Sequence, residues 1–210
     1  MKLLILDAGH CLSLALAREA SRRADTELVI EQGLAVSPSQ LQAIAPDAVL
    51  IPPLAHPLSM TLAEVKAHAD AVDRCVDACQ AQDVALVWCV SDQLYEEGFD
   101  IPIDEHVVPA PRDECLRRLV QTGDRIRAEY HRHLIVRLGP LFALEGSHAW
   151  LSEIIDSFIT GQTVRAAEDV VFCPTSADAV AMALIGMLQQ QACGARGRIG
   201  GHQKAPAPCH

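Results

Sequence analysis

Short apolar runs alternate along the chain with segments in which apolar residues recur at every third or fourth position. The runs are typical of buried strands and predict strands at residues 3–6, 26–30, 47–51, 84–90 and 133–138. The helical spacing predicts helices from residue 12, near residues 38–44, and over 61–82, 112–129, 147–158 and 176–188. A short extended segment is expected at 170–174. Strands that alternate with helices indicate an α/β fold with a parallel sheet.

The first eighteen residues form the unit around which the fold is organised. An apolar run at 3–6 is followed by the small-residue turn 7–9 and by a helix whose apolar positions begin at Leu12. Such a unit begins a doubly wound, Rossmann-like α/β domain. In dinucleotide-binding versions the turn has spaced glycines, because a pyrophosphate approaches the helix N-terminus only where the backbone is bare. This turn has one glycine, Gly9.

Two predicted strands are followed by polar residues that are candidates for a site. Glu31 ends the second strand, where a Rossmann-type site holds a ribose hydroxyl; a solvated strand end is the other interpretation. Ser91 and Asp92 follow the fourth strand. Open α/β sheets place their chemistry just past the carboxyl ends of strands, so both residues lie where a site belongs. An ordinary Ser/Asp cap explains them equally well.

The composition excludes several classes of partner. Half of the 210 residues are hydrophobic and the net charge is −10, so we expect a full core and no binding to nucleic acid or an anionic membrane. No apolar run reaches the roughly 20 residues that cross a bilayer, and Asp7 interrupts the N-terminal run. A cytoplasmic protein is expected. The eight cysteines include no Cys-x-x-Cys pair and are expected to be reduced core thiols rather than metal ligands.

Several segments together resemble the extended short-chain dehydrogenase/reductases, in particular the dTDP-4-dehydrorhamnose reductases. They are residues 1–18, 46–51, 69–72, Cys79, 91–92, 133–137, 173–175 and Asp178. The resemblance implies a Rossmann-like domain over residues 1–140, a truncated C-terminal substrate lobe over 141–200 and a disordered tail at 201–210. It also implies reduction of a keto group on a nucleotide-activated sugar by NADPH.

The sequence departs from that family at the cofactor turn. Where the family has the pattern G-x-x-G-x-x-G, this chain has Asp7, His10 and Ser13. A carboxylate at roughly 4 Å from a phosphate costs about 4 kcal/mol at an effective dielectric of about 20, on the order of a thousandfold in affinity. His10 and Ser13 add side-chain atoms where the backbone should approach phosphate and sheet. The cleft positions that would bind a cofactor, a degenerate set from which the family's three glycines are absent, are Asp7, Gly9, His10, Ser13 and Glu31.

The catalytic pattern of the family is also missing. Its Tyr-x-x-x-Lys supplies a proton donor and an amine that lowers the phenol pKa, and the resemblance places Leu116 and Val120 at those positions. Ser91 matches the family's Ser/Thr and is the one catalytic remnant. His68 replaces an Asn that supports the site.

We therefore interpret the chain as a non-catalytic homologue, a pseudoenzyme that binds no cofactor. It would use the scaffold to bind a small, nucleotide-sugar-like ligand or a protein partner. The regulatory subunit of methionine adenosyltransferase, a relative in the family that the chain resembles, serves as such a partner protein. The resemblance also implies a homodimer through helices 61–82 and 112–129.

Two alternative functions are also consistent with the sequence. The first is an active NADPH-dependent reductase whose proton donor is Tyr95, Tyr130 or His131, with a diphosphate bound by arginines among Arg112, Arg117, Arg118 and Arg137. A solvated helix face and a strand-end ion pair explain these arginines at least as well. The second is a metal-dependent hydrolase built on His56, His68, His106, His131 and His133. Only His131 and His133 have a spacing that puts two ligands on one face of a strand.

Overall fold

The computed structural model describes residues 1–54, 56–95, 106–143, 145–146, 150–164 and 174–193. Its centre is a parallel sheet of β1 (Lys2–Ile5), β2 (Glu27–Ile30), β3 (Ala48–Ile51), β4 (Ala85–Ser91) and β5 (His133–Leu138). The spatial order is β2-β1-β3-β4-β5, which confirms the predicted α/β fold. The order reverses between β1 and β3, and open α/β sheets bind ligands beyond the carboxyl ends of strands at such a reversal.

Helices connect the strands and cover the sheet. They are α1 (Cys11–Ser21), α2 (Pro38–Ile44), α3 (Leu62–Gln82), α4 (Glu114–Glu129), α5 (Trp150–Ile159) and α6 (Ala177–Cys193). Two short strands, β6 (Leu141–Phe142) and β7 (Thr175–Ser176), pair with each other. Capping boxes fix the starts of α2 and α3 close to the predicted positions. Helix α4 begins two residues later than predicted, because the Asp113 carboxylate caps it by accepting from the Leu116 amide.

The two faces of the sheet have separate cores. Successive residues of a strand point to opposite faces. Leu4 lies in the core covered by α2, α3 and α4, whereas Leu3 and Ile5 lie in the core covered by α1 and α6. Helix α6 packs directly against α1. Helices on both faces make the sheet doubly wound, as the sequence predicts.

The C-terminal third differs from expectation in one respect. The last helix was predicted over residues 176–188, whereas α6 spans Ala177–Cys193 and so continues beyond the predicted end. The Ser147 cap, residues 165–173 and the tail lie outside the described residues. The domain boundary at residue 140 stays a prediction, and Leu141 and Ala143 share the core of α1 and α6. None of the described helices is both long and apolar enough to cross a membrane.

Candidate functional site

The turn after β1 retains a backbone that favours glycine. Asp7 has a φ of 57°, in the left-handed region, where Asp is tolerated better than most residues with a β-carbon. The turn is held by backbone hydrogen bonds: the Asp7 amide donates to the Gly33 carbonyl at 3.3 Å, and the Ala8 amide to the Glu31 carbonyl at 3.0 Å. Glu31 thus supports the turn through its backbone. Whether its side chain holds a ligand hydroxyl stays a prediction.

His10 caps the helix that follows the turn. Its imidazole Nδ1 accepts a hydrogen bond from the Leu12 amide at 3.0 Å, and the side chain is 1% exposed. An acceptor on Nδ1 leaves the ring proton on Nε2. In a dinucleotide-binding turn, the amides at this helix end point at the pyrophosphate. Here the buried His10 imidazole accepts from one of these amides, that of Leu12.

Gly146 covers the same helix end from outside. An ideal β-carbon built on Gly146 would lie 2.6 Å from the Cys11 Cα and 2.9 Å from the Cys11 amide nitrogen, so the two backbones are in close contact. Gly146 has a φ of 95°. The neighbouring Glu145 is paired with Arg18 of α1 at 3.4 Å, and Arg18 also pairs with Asp178 at 2.9 Å. The first turn of α1 is therefore capped by His10 and covered by residues 145–146.

Ser13 is built into the contact between α1 and the sheet. Its side chain is fully buried, and its hydroxyl donates to the Leu6 carbonyl at 3.2 Å. The resemblance places a glycine at this position, where it allows the helix to pack closely on the strand. The hydrogen bond lets a larger residue take that place without an unsatisfied hydroxyl.

Ser91 acts as a cap at the end of β4. Its Oγ accepts from the Gln93 amide at 3.2 Å and lies 3.5 Å from the Asp92 Oδ1, at the start of the short 3-10 helix Asp92–Leu94. Burial raises the pKa of the Asp92 carboxyl, and hydrogen bonds from Ser91 and the backbone oppose that rise. The capping interpretation of Ser91 is thus supported. A catalytic role of its hydroxyl stays a prediction.

An open cleft lies past the carboxyl ends of β1, β3, β4 and β5. It is a shallow, solvent-open depression with a cavity volume of about 40 Å³, and it is lined by His10, Pro53, Leu54, His56, Ser91, Gln93 and residues 138–141. The structure therefore brings His10 and Ser91 together in one site, whereas Asp7, Gly9 and Glu31 are not among its lining residues. Sequence reasoning missed Gln93 as a member of this site. Its position two residues after Ser91 was the available signal.

The positions that the resemblance assigns to the catalytic pair belong to the core. Leu116 is fully buried among the apolar residues between α4 and the sheet, and Val120 packs against the same core. An aliphatic side chain neither donates a proton nor lowers a phenol pKa. The described geometry offers no replacement at either position.

Two of the three alternative proton donors are in the wrong place. Tyr130 and His131 precede β5, whose first residue, His133, pairs with Leu86, whereas its last residue pairs with Ser91. They therefore lie at the opposite edge of the sheet from Ser91. Tyr130 is also buried, with its hydroxyl donating to the carbonyls of Cys79 and Val84, and burial raises its pKa. The expectation that either residue protonates a substrate beside Ser91 is wrong.

Tyr95, the third alternative, lies near the end of β4 but is engaged. Its hydroxyl donates to the Val107 carbonyl at 2.9 Å and accepts a hydrogen bond from Arg137. The Arg137 guanidinium also stacks over the Tyr95 ring, 5.2 Å from its centroid. Arg137 thus holds Tyr95 and Val107 together. A second proposed diphosphate ligand, Arg118, is bound at 2.7 Å by both Asp70 and Asp73.

The described cysteines and histidines do not assemble into reactive or metal-binding groups. Five cysteines, Cys11, Cys75, Cys79, Cys89 and Cys115, are free and buried, as predicted for core thiols. Burial raises the pKa of the Cys11 thiol to about 11, so it stays protonated at neutral pH. Within the described ranges, no three side chains of His, Cys, Asp or Glu come together as metal ligands. The metal-hydrolase alternative therefore gains no geometric support.

Comparisons with solved structures identify proteins that have the same fold. A dTDP-4-dehydrorhamnose reductase from Clostridium acetobutylicum superimposes with a TM-score of 0.75 at 15% identity, over 91% of this chain and 71% of the other. The Bacillus anthracis dTDP-4-dehydrorhamnose reductase, solved in complex with NADP, gives 0.73 at 15% identity over 90% and 70%. The Yersinia enterocolitica reductase gives 0.69 at 19% identity over 90% and 71%. At these identities the structures establish the fold.

The sequence itself provides the family assignment. No curated protein matches the chain significantly. The family model of the RmlD substrate binding domain matches residues 59–201, which is more than half of the chain. That range includes Ser91, α3 and α4. The match confirms the predicted resemblance to the extended short-chain dehydrogenase/reductases of the dTDP-4-dehydrorhamnose reductase type. The chain belongs to the RmlD substrate binding domain family.

Proposed function

We propose that this chain is a non-catalytic homologue of the NAD(P)-dependent sugar-nucleotide reductases. It keeps their scaffold, binds no dinucleotide and acts by binding a small ligand or a protein partner. The observation that carries the proposal is the closed N-terminus of α1. There the His10 imidazole accepts from the Leu12 amide at 3.0 Å, and the Gly146 backbone lies against Cys11.

A dinucleotide would have to displace both of these elements. Removing a side-chain cap costs about 1 kcal/mol, and residues 145–146 would have to leave Cys11 and break the Glu145–Arg18 pair. The pyrophosphate would then lie beside the Asp7 carboxylate, at a cost of about 4 kcal/mol for charges roughly 4 Å apart. The favourable field of the helix end, typically about 1 kcal/mol, is too small to offset these costs.

The residues at the family's acid and amine positions support the same conclusion. A ketone reductase needs a hydride carrier and an acid close to the carbonyl oxygen. Leu116 and Val120 occupy the family's acid and amine positions, and Tyr130 and His131 lie at the other edge of the sheet. Ser91, the remaining member of the pattern, caps a 3-10 helix.

An active NADPH-dependent reductase is the second candidate. It is favoured by one observation, the relative from Bacillus anthracis, which has the same fold and was solved with NADP. In this chain such an enzyme would keep Ser91 in the cleft and use Tyr95 as its acid. Tyr95 would first have to release Arg137 and Val107.

Titration calorimetry with NADPH and NADH separates the two candidates. For this chain we expect no binding tighter than about 1 mM, which corresponds to about −4 kcal/mol. The Bacillus anthracis relative, titrated with NADP under the same conditions, is the positive control. Micromolar binding of either nucleotide to this chain would favour the reductase and count against the pseudoenzyme.

The assembly and location of the protein are also proposals. The resemblance suggests a homodimer that pairs through α3 and α4, and the composition suggests a cytoplasmic location. In the described structure these helices are joined to each other by ion pairs of Arg118 and Arg125 with Asp70, Asp73 and Asp77. Light scattering after gel filtration tests the dimer, because a monomer of 22.7 kDa is readily distinguished from a pair.

A further inference from the structure

Strand β5 is an open edge of the central sheet. It pairs with β4 on one side, and within the part of the chain that the structure describes no strand pairs with its other side. Residues 133–137 are all partly exposed, whereas every residue of β3, in the middle of the sheet, is buried. A row of unpaired N–H and C=O groups on such an edge is a template for a further strand.

The register between β4 and β5 shows which backbone groups of β5 point outward. The Leu86 amide donates to the Arg132 carbonyl at 2.9 Å, and Leu86 lies opposite His133. Alternate residues of a strand direct their backbone groups to the same side, so the groups that point to β4 are those of residues 132, 134, 136 and 138. The N–H and C=O groups of His133, Ile135 and Arg137 therefore point away from the sheet. In the described structure these groups make no hydrogen bond.

The other edge strand, β2, is less suited to pairing. It has four residues and begins with Glu27, which is paired with Lys2 at 3.0 Å. Short length and charged residues are common means by which natural sheets protect their edges. Strand β5 has six residues, with three aliphatic residues in sequence at 134–136 and no Lys, Pro or Gly. Its composition favours an extended strand that pairs on both sides.

The β5 edge is complementary to itself in one antiparallel register. With a two-fold axis at Ile135, His133 lies opposite Arg137 of a second copy, and Ile135 lies opposite the Ile135 of that copy. Opposite residues whose backbone groups face each other exchange both of their hydrogen bonds, so this register pairs every outward group of the three residues. Leu134 then lies opposite Val136, and both belong to the face covered by α1 and α6. The cross-strand pairs between the ends of β5 are therefore apolar.

The end residues of β5 are complementary as a donor and an acceptor. The His133 Nδ1 is hydrogen-bonded to the Tyr130 carbonyl, which only accepts, so Nδ1 carries the ring proton and Nε2 of the neutral ring is an acceptor. Arg137 donates through Nη1 to Tyr95 and to the Val107 carbonyl, and its Nε and Nη2 make no hydrogen bond in the described structure. Side chains of opposite residues are within reach of each other. The guanidinium of one copy can therefore donate to the imidazole of the other.

We infer that two copies of this chain join through their β5 edges, with the two-fold axis at Ile135, to form one continuous sheet. A second copy fits this edge better than an unrelated strand, because the backbone register and both end residues match the same sequence. This surface is separate from the α3–α4 surface that the resemblance suggests. The inference goes beyond the proposed function and does not depend on whether the chain binds a dinucleotide.

Amide hydrogen exchange of the full chain, measured in dilute and in concentrated samples, tests the inference. We expect the amides of His133, Ile135 and Arg137 to exchange rapidly in the dilute sample and to become protected in the concentrated one. The amides of Leu134 and Val136 donate to β4 and should be protected in both. Light scattering on the same samples should show the mass rise from 22.7 kDa to twice that value.

A pair of proline variants links the dimer to this edge. Ile135→Pro removes an outward N–H and places a ring on the edge but breaks no hydrogen bond to β4, so it should weaken dimerisation about tenfold or more. Leu28→Pro is the matched control on β2. The Glu27 and Glu31 amides donate to the Met1 and Ile5 carbonyls, so the Leu28 amide points outward. Leu28→Pro should dimerise as the parent does. If circular dichroism shows that Ile135→Pro does not fold, the exchange pattern of the parent decides.

The inference is overturned if the concentrated chain remains a monomer, or if a dimer forms while the amides of residues 133, 135 and 137 stay unprotected. The second result would assign the dimer to another surface, such as α3–α4. Equal dimerisation of the two folded proline variants would also overturn it. Calorimetry with NADPH is independent of these outcomes: a monomer leaves the proposed function in place, and NADPH binding would contradict that function without affecting the β5 dimer.

Discussion

The His10 imidazole and the Leu12 amide form the hydrogen bond that closes the N-terminus of α1, with Nδ1 accepting at 3.0 Å. His10, which the sequence suggests would obstruct a phosphate, is therefore the capping residue of this helix. The bond also gives the residue a measurable contribution to stability, because a helix end without its cap leaves an amide unsatisfied.

Replacement of the cap should lower stability. We expect His10→Ala to reduce the free energy of unfolding by about 1–2 kcal/mol, because it removes the cap and a buried ring. His10→Asn keeps a side-chain acceptor and should lose less. Urea denaturation of the three proteins measures the difference. Equal midpoints for parent and His10→Ala would show that the imidazole does not cap α1 in solution.

The contact between Gly146 and Cys11 predicts a strong effect of one added methyl group. Gly146→Ala should lower the free energy of unfolding by about 2 kcal/mol or more, or release residues 145–146 from α1. Gly161→Ala is the matched control: Gly161 also has a positive φ, 69°, but its β-carbon would meet no atom within 4 Å. It should cost only the backbone strain of about 1 kcal/mol. Similar losses in both variants would contradict the close contact.

The left-handed backbone at Asp7 predicts an unusual tolerance for glycine. Asp7→Gly should change the free energy of unfolding by less than about 1 kcal/mol, because relief of strain offsets the greater entropy of the unfolded chain. Asp7→Val should be destabilising by about 1–2 kcal/mol, because a β-branched residue is strained at a φ of 57°. Thermal melting compares them. A more stable Asp7→Val protein would refute the assigned turn conformation.

The partial burial of His68 predicts that the folded protein loses stability in mild acid. The side chain of His68 is partly buried on α3, and burial lowers its pKa from 6.5 to about 4. Between these values the unfolded chain binds more protons than the folded one, so stability is complete above pH 6.5 and falls as the pH drops to 4. The loss should be at most about 3 kcal/mol. In His68→Leu this part of the pH dependence should vanish; an unchanged slope would assign it to other groups.

The sheet could be predicted from the sequence because each strand is a short apolar run next to an amphipathic helix. All five predicted strands form, with ends shifted by a residue or two, as at β4 (Ala85–Ser91). Local sequence was sufficient for the strands because the periodicity of apolar residues reports which residues are buried in a strand or on one face of a helix.

The closure of the site could not be predicted in the same way. Gly146 reaches Cys11 across more than half of the chain, and no local pattern indicates such a contact. His10 was expected to obstruct a phosphate, but its capping role depends on a side-chain conformation that the sequence does not specify. Tyr130 and His131 were misplaced although the sequence contained the signal: both precede the predicted strand 133–138, and residues before a parallel strand lie at the opposite edge of the sheet from residues after it.

A crystal structure of the chain soaked with NADPH tests the central claim most directly. We predict that the His10 imidazole remains on the Leu12 amide, that Gly146 remains against Cys11, and that no dinucleotide density crosses the first turn. Density for a pyrophosphate at the start of α1, with His10 displaced and the nicotinamide near Ser91, would contradict the account.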